Sequence, residues 1–196
     1  MNTSSVDLKA SVIEYCSAIG SDPLLVQGAG GNASWKESGT LWVKASGTWL
    51  AEAAEKNIFV PVDLAHLRTA IQNCDFSVTP RLLGESVLRP SIETLMHALM
   101  PHRVVVHLHA IEILAHLVRE NCQAEFLSLL PPSIHWAMVD YHKPGAALAA
   151  GVYDALTQNP DANVIFLKNH GVVIGGADIS EINANLSALT AGRIQL

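Results

Sequence analysis

Two histidines that stand two positions apart, His107 and His109, have the residue type and the spacing needed to bind a metal ion. They follow three consecutive valines (104–106), and this β-branched run predicts a strand over residues 103–109. Side chains two positions apart on a strand point to the same face, with their backbones roughly 6.6–7 Å apart. Two imidazoles in that arrangement can converge on one divalent ion, so the pair predicts part of a metal site.

A third histidine, His170, follows a strand-like segment (163–167) and precedes Gly171, where a tight backbone can aim the ring inward. Spacing alone does not tie His170 to the other two histidines. A single histidine is more often a surface or hydrogen-bonded residue, so this alternative stays open from the residues alone.

A carboxylate, Glu93, is the candidate proton-transfer group. Pro90 and Ser91 precede apolar residues at helical spacing, and the pattern stops at Pro101. This predicts a helix with Ser91 as its N-cap and Glu93 in its first turn, where a carboxylate can simply complement the helix dipole. His97 lies four residues on and shares the helical face of Glu93, so we expect it to support Glu93 rather than to bind metal.

Two short segments favour binding of an anion. The segment QGAGGN (27–32) is glycine-rich, but it has neither the dinucleotide-binding spacing nor a Walker A lysine. Its glycines indicate either a structural turn or an anion site, and the segment of Ser46, Gly47 and Thr48 has the same two interpretations. Ser91, at a predicted helix start, is the stronger anion candidate because free amides and the dipole favour negative charge there.

The remaining patterns predict strands and helices in mixed order, which indicates an α/β or α+β protein layered around one sheet. The predicted strands are 41–45, 58–60, 134–139, 164–168 and 172–174. The predicted helices are 5–19, 62–74, 111–119, 146–157 and 178–190, and residues 75–90 are predicted to be a loop.

Composition limits the class of protein. The 196 residues are 49% hydrophobic and 15% charged, which favours a single domain over residues 1–196 with a sizeable core and a subunit interface. The net charge of −6 argues against nucleic-acid or anionic-membrane partners. Three widely spaced cysteines favour reduced thiols in the cytoplasm. No apolar run approaches a membrane span, and the first residues lack a signal-peptide pattern.

Five motifs occur together in one order: QGAGGNAS (27–34), ASGT (45–48), RPSIE (89–93), HLHA (107–110) and NHG (169–171). In this order the chain resembles the class II aldolase family that includes fuculose-phosphate aldolase and the adducin heads, over nearly its whole length. The resemblance implies an α/β three-layer domain whose central, mainly antiparallel sheet is flanked by helices on both faces. It also implies a homotetramer with active sites at subunit interfaces.

The resemblance further implies the roles of individual residues. Zinc, which manganese or cobalt can replace, would be held by three imidazoles, and a glutamate would be the catalytic acid/base. Four residues match positions that bind the substrate phosphate. The metal residues are His107, His109 and His170, the acid/base is Glu93, and the phosphate residues are Asn32, Ser46, Gly47 and Ser91.

The implied reaction is retro-aldol cleavage of a small sugar or sugar phosphate. Such cleavage leaves an enediolate, whose charge a cation stabilises. Glu93 would move the proton at the enediolate carbon, and a phenol or water would protonate the leaving alkoxide. Alternatives are a sugar-phosphate dehydratase, an epimerase, whose branch carries aspartate at position 93, and a non-catalytic adducin-like module, whose members lack the metal histidines.

Three features depart from the family pattern. Ile92 stands where the fuculose enzyme has a second phosphate-binding serine. Trp136 lies near the position of a tyrosine that reaches across the subunit interface. The sequence ends at Leu196, before the tail that helps to close the site in the aldolases.

Overall fold

One seven-stranded sheet runs through the protein in the computed structural model, which describes residues 5–190. The strands are β1 (Asn32–Glu37), β2 (Thr40–Lys44), β3 (Phe59–Asp63), β4 (Val104–Leu108), β5 (Trp136–Val139), β6 (Val164–Leu167) and β7 (Gly171–Gly176). Their spatial order is β3-β2-β1-β4-β7-β6-β5. Every neighbouring pair is antiparallel except β5 with β6. This confirms the predicted mainly antiparallel sheet.

Helices cover both faces of the sheet, as predicted. They are α1 (Ser5–Gly20), α2 (Leu64–Gln72), α3 (Thr94–Leu99), α4 (Ile111–Leu117), α5 (Cys122–Leu129), α6 (Ala146–Gln158) and α7 (Ile179–Thr190). Buried side chains of α1, α4, α5 and α7 form one apolar cluster with one face of the sheet. Those of α2, α3 and α6 pack on the opposite face. In the part of the chain that the structure describes, no helix has the length and apolarity required to cross a membrane.

The central strand β4 shows why the sequence folds this way. Val104, Val106 and Leu108 point into the cluster beneath α1, α4, α5 and α7. Val105 faces the opposite side, where α3 and α6 pack, and the period-2 alternation puts His107 on that side as well. The predicted strand therefore delivers a fully buried histidine to the α3 face.

The structure differs from the predicted elements at four places. Strand β1 and helix α5 were not predicted. The helix predicted from residue 62 begins at Leu64, because Asp63 ends β3 and accepts a hydrogen bond from the His66 amide at 3.0 Å. The prediction that Ser91 caps α3 was wrong: the residue before the first helical turn is Glu93.

Candidate metal centre and anion pocket

Three imidazoles from two separate segments meet on the α3 face of the sheet. The ring centroids lie 5.0 Å apart for His107 and His109, 4.8 Å for His107 and His170, and 5.3 Å for His109 and His170. One nitrogen from each ring lies within 4.8 Å of the other two. We call His107, His109 and His170 the histidine cluster.

The hydrogen bond of His107 fixes which of its nitrogens can bind a metal. Its Nδ1 lies 3.1 Å from the carbonyl oxygen of Val172, and a carbonyl can only accept, so Nδ1 carries the proton. Nε2 therefore presents a lone pair, an arrangement that orients metal-binding histidines in many proteins. Burial lowers the pKa of His107 to about 4, although the charge of Glu93 opposes this shift. Because of the lowered pKa, the ring is neutral at pH 7.

Within the described part of the chain, one nitrogen of each ring in the histidine cluster has no hydrogen-bond partner. Among residues 5–190, His107 Nε2, His109 Nε2 and His170 Nδ1 are buried without a hydrogen-bond partner. Leaving buried polar atoms unpaired costs free energy, on the order of 1–3 kcal/mol for each group. Three nitrogen donors of this kind fit zinc, with a coordination position left open.

Close backbone packing places the rings of His109 and His170. Asn169 adopts φ 55°, a left-handed conformation that asparagine tolerates, and turns the chain just before His170. A Cβ atom at Gly171 would lie 2.3 Å from the carbonyl oxygen of Leu108, and one at Gly30 would lie 2.9 Å from His109 Nδ1. Both glycines therefore let the backbone approach the histidine cluster where no side chain fits.

Glu93 points its carboxylate at the histidine cluster. Its Oε1 lies 3.2 Å from His170 Nε2, and its Oε2 lies 3.7 Å from His107 Nε2. Asn32 Nδ2 donates to Oε2 at 2.5 Å. Burial alone would raise the pKa of Glu93, but the contact with His170 and the nearby imidazoles together lower it to about 2. The carboxylate is thus ionised at neutral pH.

His97 is one turn along the chain from Glu93, and its Nδ1 lies 2.8 Å from the hydroxyl oxygen of Ser34. The ring is fully buried, and burial followed by the charge of His107 lowers the pKa of His97 to about 3. His97 therefore stays neutral and takes no place in the histidine cluster.

A cavity of about 240 Å³ opens beside the histidine cluster. It brings the residues predicted to bind phosphate next to Glu93, His109 and His170, while His107 lies behind its wall. Five other residues that line the cavity, which we call the anion pocket after the role predicted for most of them, are Asn32, Lys44, Ser46, Gly47 and Ser91.

The pocket is built differently from the prediction at Ser91. Because α3 begins at Thr94 and has only six residues, Ser91 lies in the turn before it rather than at its cap. The Ser91 hydroxyl accepts a hydrogen bond from the Glu93 amide at 3.2 Å. Ser91 is therefore not at the helix cap that the dipole argument assumed, but its side chain lines the cavity, and its role in binding an anion stays a prediction.

The sequence analysis missed Lys44, a buried lysine that lines the cavity. The residue is 1% exposed, and its Nζ donates to the carbonyl oxygens of Ala29 at 3.2 Å and Thr48 at 2.6 Å. These bonds join the two segments that form the pocket. Burial, partly offset by the charge of Glu93, lowers the pKa of Lys44 to about 8. The position of Lys44 directly before the ASGT motif was the sequence signal that could have identified it.

The chain belongs to the class II aldolase and adducin family, because the profile described as Class II Aldolase and Adducin N-terminal domain matches residues 10–191. This confirms the family predicted from the five motifs. A protein of Bacillus subtilis (strain 168) named uncharacterized oxidoreductase YuxG is 29% identical in a 174-residue alignment that covers 81% of this chain and 25% of that protein. The chain therefore spans about a quarter of the length of this relative.

Solved structures share the fold. The N-terminal class II aldolase domain of a conserved protein from Thermoplasma acidophilum aligns with a TM-score of 0.78 and 24% identity, over 99% of this chain and 93% of that one. L-fuculose-1-phosphate aldolase from Thermus thermophilus aligns with a TM-score of 0.58 and 18% identity, over 92% and 89%. At these identities the likeness shows the fold alone.

Proposed function

We propose that the protein is a zinc-dependent aldolase that cleaves a small sugar or sugar phosphate by retro-aldol chemistry. One observation carries the proposal: an ionised carboxylate, Glu93, lies 3.2 Å and 3.7 Å from two members of a three-imidazole cluster at the edge of a cavity. Metal and base within reach of one cavity are what cleavage next to a carbonyl requires.

The histidine cluster would hold the metal through His107, His109 and His170. Zinc suits three neutral nitrogen donors, and manganese or cobalt can take its place. A bound divalent cation acts as a Lewis acid, polarising a carbonyl group of the substrate. The unpartnered nitrogens of the cluster support this assignment.

Glu93 would transfer the proton at the carbon next to the carbonyl. Its lowered pKa supplies the ionised form that accepts a proton, although a pKa of about 2 makes it a weak base until its surroundings change. The hydrogen bond from Asn32 orients the carboxylate, while His107 and His170 only approach it, at 3.7 Å and 3.2 Å, so that substrate can displace these contacts.

The anion pocket would bind the substrate phosphate. Asn32, Ser46, Gly47 and Ser91 contribute polar groups, and the ammonium of Lys44 contributes the opposite charge. Ile92 is 68% exposed on the rim and adds hydrocarbon where a further donor would strengthen phosphate binding.

We propose that the protein is a cytoplasmic homotetramer that takes a small-molecule substrate and no nucleic acid or membrane partner. Large apolar side chains that are exposed in the single chain support a subunit contact, with Trp49 at 52% and Tyr141 at 58% exposure. Its three cysteines are free thiols, which supports a reducing compartment. Sedimentation velocity measures the number of subunits.

The experiment that tests the reaction is Glu93→Gln, assayed on a panel of ketose 1-phosphates for release of the two carbonyl products. Glutamine keeps the shape but removes the base, so kcat should fall about 10²–10⁴-fold while the metal stays bound. Glu125→Gln is the matched control, because Glu125 also contacts a histidine, His116 at 2.8 Å, but lies away from the cavity. A loss of less than a few-fold in Glu93→Gln would contradict the role of the carboxylate.

A further inference from the structure

Strand β1 turns an unusually polar face toward α3. Asn32, Ser34 and Lys36 alternate along the strand and are 5%, 0% and 9% exposed. Their neighbours Ala33 and Trp35 point the other way into the apolar cluster. Because β1 lies between β2 and β4, this face is interior, where apolar side chains would avoid the cost of desolvating polar groups.

Each of these three side chains bonds to a different point of the segment 93–102. Asn32 donates to Glu93 Oε2 at 2.5 Å, and Ser34 Oγ lies 2.8 Å from His97 Nδ1. Lys36 Nζ donates to the carbonyl oxygens of Met100 and, at 2.8 Å, of His102. The order of partners follows the order along the strand, so the contacts hold the segment at its beginning, middle and end.

Helix α3 depends on such contacts for its register. It has six residues and no side-chain hydrogen bond at its N-cap, and a helix this short is unstable alone. Its buried apolar residues, such as Met96, attach it to the sheet, but apolar contacts are non-directional. The directional hydrogen bonds from β1 distinguish the observed position from one displaced along the strand.

The ammonium of Lys36 bonds to the segment that connects the Glu93 side of the site to His107. Its partners Met100 and His102 lie in the connection between α3, which follows Glu93, and β4, which carries His107. Burial, with a smaller effect from the charge of Arg68, lowers the pKa of Lys36 to about 7. Burying a lysine costs free energy, and this cost is explained if Lys36 must hold the α3–β4 connection in one place.

We propose that Ser34 and Lys36 are positioning residues: Ser34 acts through His97, and Lys36 acts through the carbonyls of the α3–β4 connection, to hold the Glu93 carboxylate against the histidine cluster. Neither side chain lines the cavity. The inference rests on the proposed function in treating Glu93 as the acid/base, but its test requires no turnover.

The first measurement is hydrogen–deuterium exchange of the metal-free protein. Lys36→Met keeps an unbranched side chain that is one heavy atom shorter and has no donors, so amides of residues 94–103 should exchange about tenfold faster or more, because the segment opens locally. Ser34→Ala should speed exchange around His97. Lys36→Arg retains two donors for two carbonyls and should restore slow exchange. Lys56→Met, at an exposed lysine paired with Glu52, is the control.

The second measurement is the visible spectrum of the protein loaded with Co²⁺, which reports the ligands around the ion. We expect Lys36→Met to shift the spectrum toward that of Glu93→Gln, in which the carboxylate is lost, while Lys36→Arg keeps the wild-type spectrum. A purely structural lysine would not mimic removal of a carboxylate that it does not touch.

Two outcomes would overturn the proposal. One is wild-type exchange over residues 94–103 in both Lys36→Met and Ser34→Ala. The other is an equal increase over residues 164–176, which shows general loosening rather than loss of position. If wild-type protein cleaves no sugar or sugar phosphate, the aldolase assignment fails, yet exchange and spectra still decide whether Ser34 and Lys36 position Glu93.

Discussion

The histidine cluster and the anion pocket border the same cavity but are constructed in different ways. His107 lies within a central strand, 0% exposed, and the backbone around the cluster is so close that Gly171 has no room for a Cβ atom. In the anion pocket, Ser46 and Gly47 are exposed in a turn after β2. A Cβ atom at Gly47 would meet nothing within 4 Å.

The difference indicates which half of the site can change. Alterations in the histidine cluster disturb strand packing, so we expect them to affect the stability of the fold as well as the proposed metal binding. Alterations in the exposed turn of the anion pocket affect the ligand more than the fold. Ile92, which departs from the family pattern, lies on the rim of the pocket and is 68% exposed. Substrate preference can therefore differ between relatives that keep the same histidines.

The largest expected effect is on metal binding. His107→Ala removes one of three imidazoles and should weaken zinc affinity about 10²–10³-fold, one ligand's share of the total binding free energy. Ser46→Ala, in the other half of the cavity, should leave the affinity unchanged, and His135→Ala controls for an exposed histidine. Competition with a chelator measures the dissociation constants. Full zinc occupancy of His107→Ala against a competing chelator would contradict the assignment.

A matched pair of glycines tests the packing difference directly. Gly171→Ala places a methyl group 2.3 Å from the Leu108 carbonyl, which should lower the free energy of unfolding by about 2–4 kcal/mol. Gly47→Ala meets no atoms, so its cost comes from φ +75° and should be about 1 kcal/mol. Urea unfolding measures the free energy of unfolding of both variants. Equal losses would contradict the difference in packing between the histidine cluster and the anion pocket.

Acid should destabilise the metal-free protein through its buried imidazoles. His97 and His107 have pKa values lowered from 6.5 to about 3 and about 4. Below pH 6.5 the unfolded chain therefore binds protons that the folded chain does not, and stability falls as the pH falls. Between pH 7 and 5 the loss should be about 2 kcal/mol for each ring. His97→Asn removes one of the two rings and should reduce the loss of stability by about 2 kcal/mol. An unchanged pH dependence of the free energy of unfolding would contradict the role of His97.

The smallest effect concerns the rim of the anion pocket. Ile92→Ser supplies a hydroxyl that can donate to phosphate, which should tighten binding about tenfold, the value of one hydrogen bond to a charged group. Inorganic phosphate should bind the wild-type protein at about millimolar strength. Isothermal titration calorimetry measures both proteins. If neither releases heat at tens of millimolar phosphate, a non-phosphorylated substrate becomes the better hypothesis.

The sequence predicted those parts of the site that follow a simple period or a known motif. His107 and His109 were placed on one face because strand alternation is regular, and the NHG motif directed attention to His170. Single-sequence spacing could not show that His170 meets the other two rings, because that depends on β7 pairing with β4. Ladder pairing is a long-range property, which local propensities do not encode.

The missed features share a different cause. Strand β1, NASWKE, contains lysine and glutamate, which are depleted in strands, although its Ala33 and Trp35 do alternate with polar residues. The buried state of Lys36 and Lys44 was equally hidden, since lysine is almost never fully buried. The start of α3 was misplaced because Ser91 satisfies a capping pattern, yet its hydroxyl bonds to the Glu93 amide in a turn before the helix.

The arrangement of β1, β4 and β7 has a consequence for how the chain acquires its activity. Asn32 and Glu93 are bonded across 61 positions of sequence, and His107 and Val172 across 65. Contacts of such long range form late, since the entropy of closing large loops must be overcome first. A ligand that contacts all these segments binds only the folded chain. By mass action, it shifts the equilibrium of newly synthesised molecules toward the native state. If the histidine cluster holds a metal as proposed, metal supply in the cell would then influence the yield of folded protein.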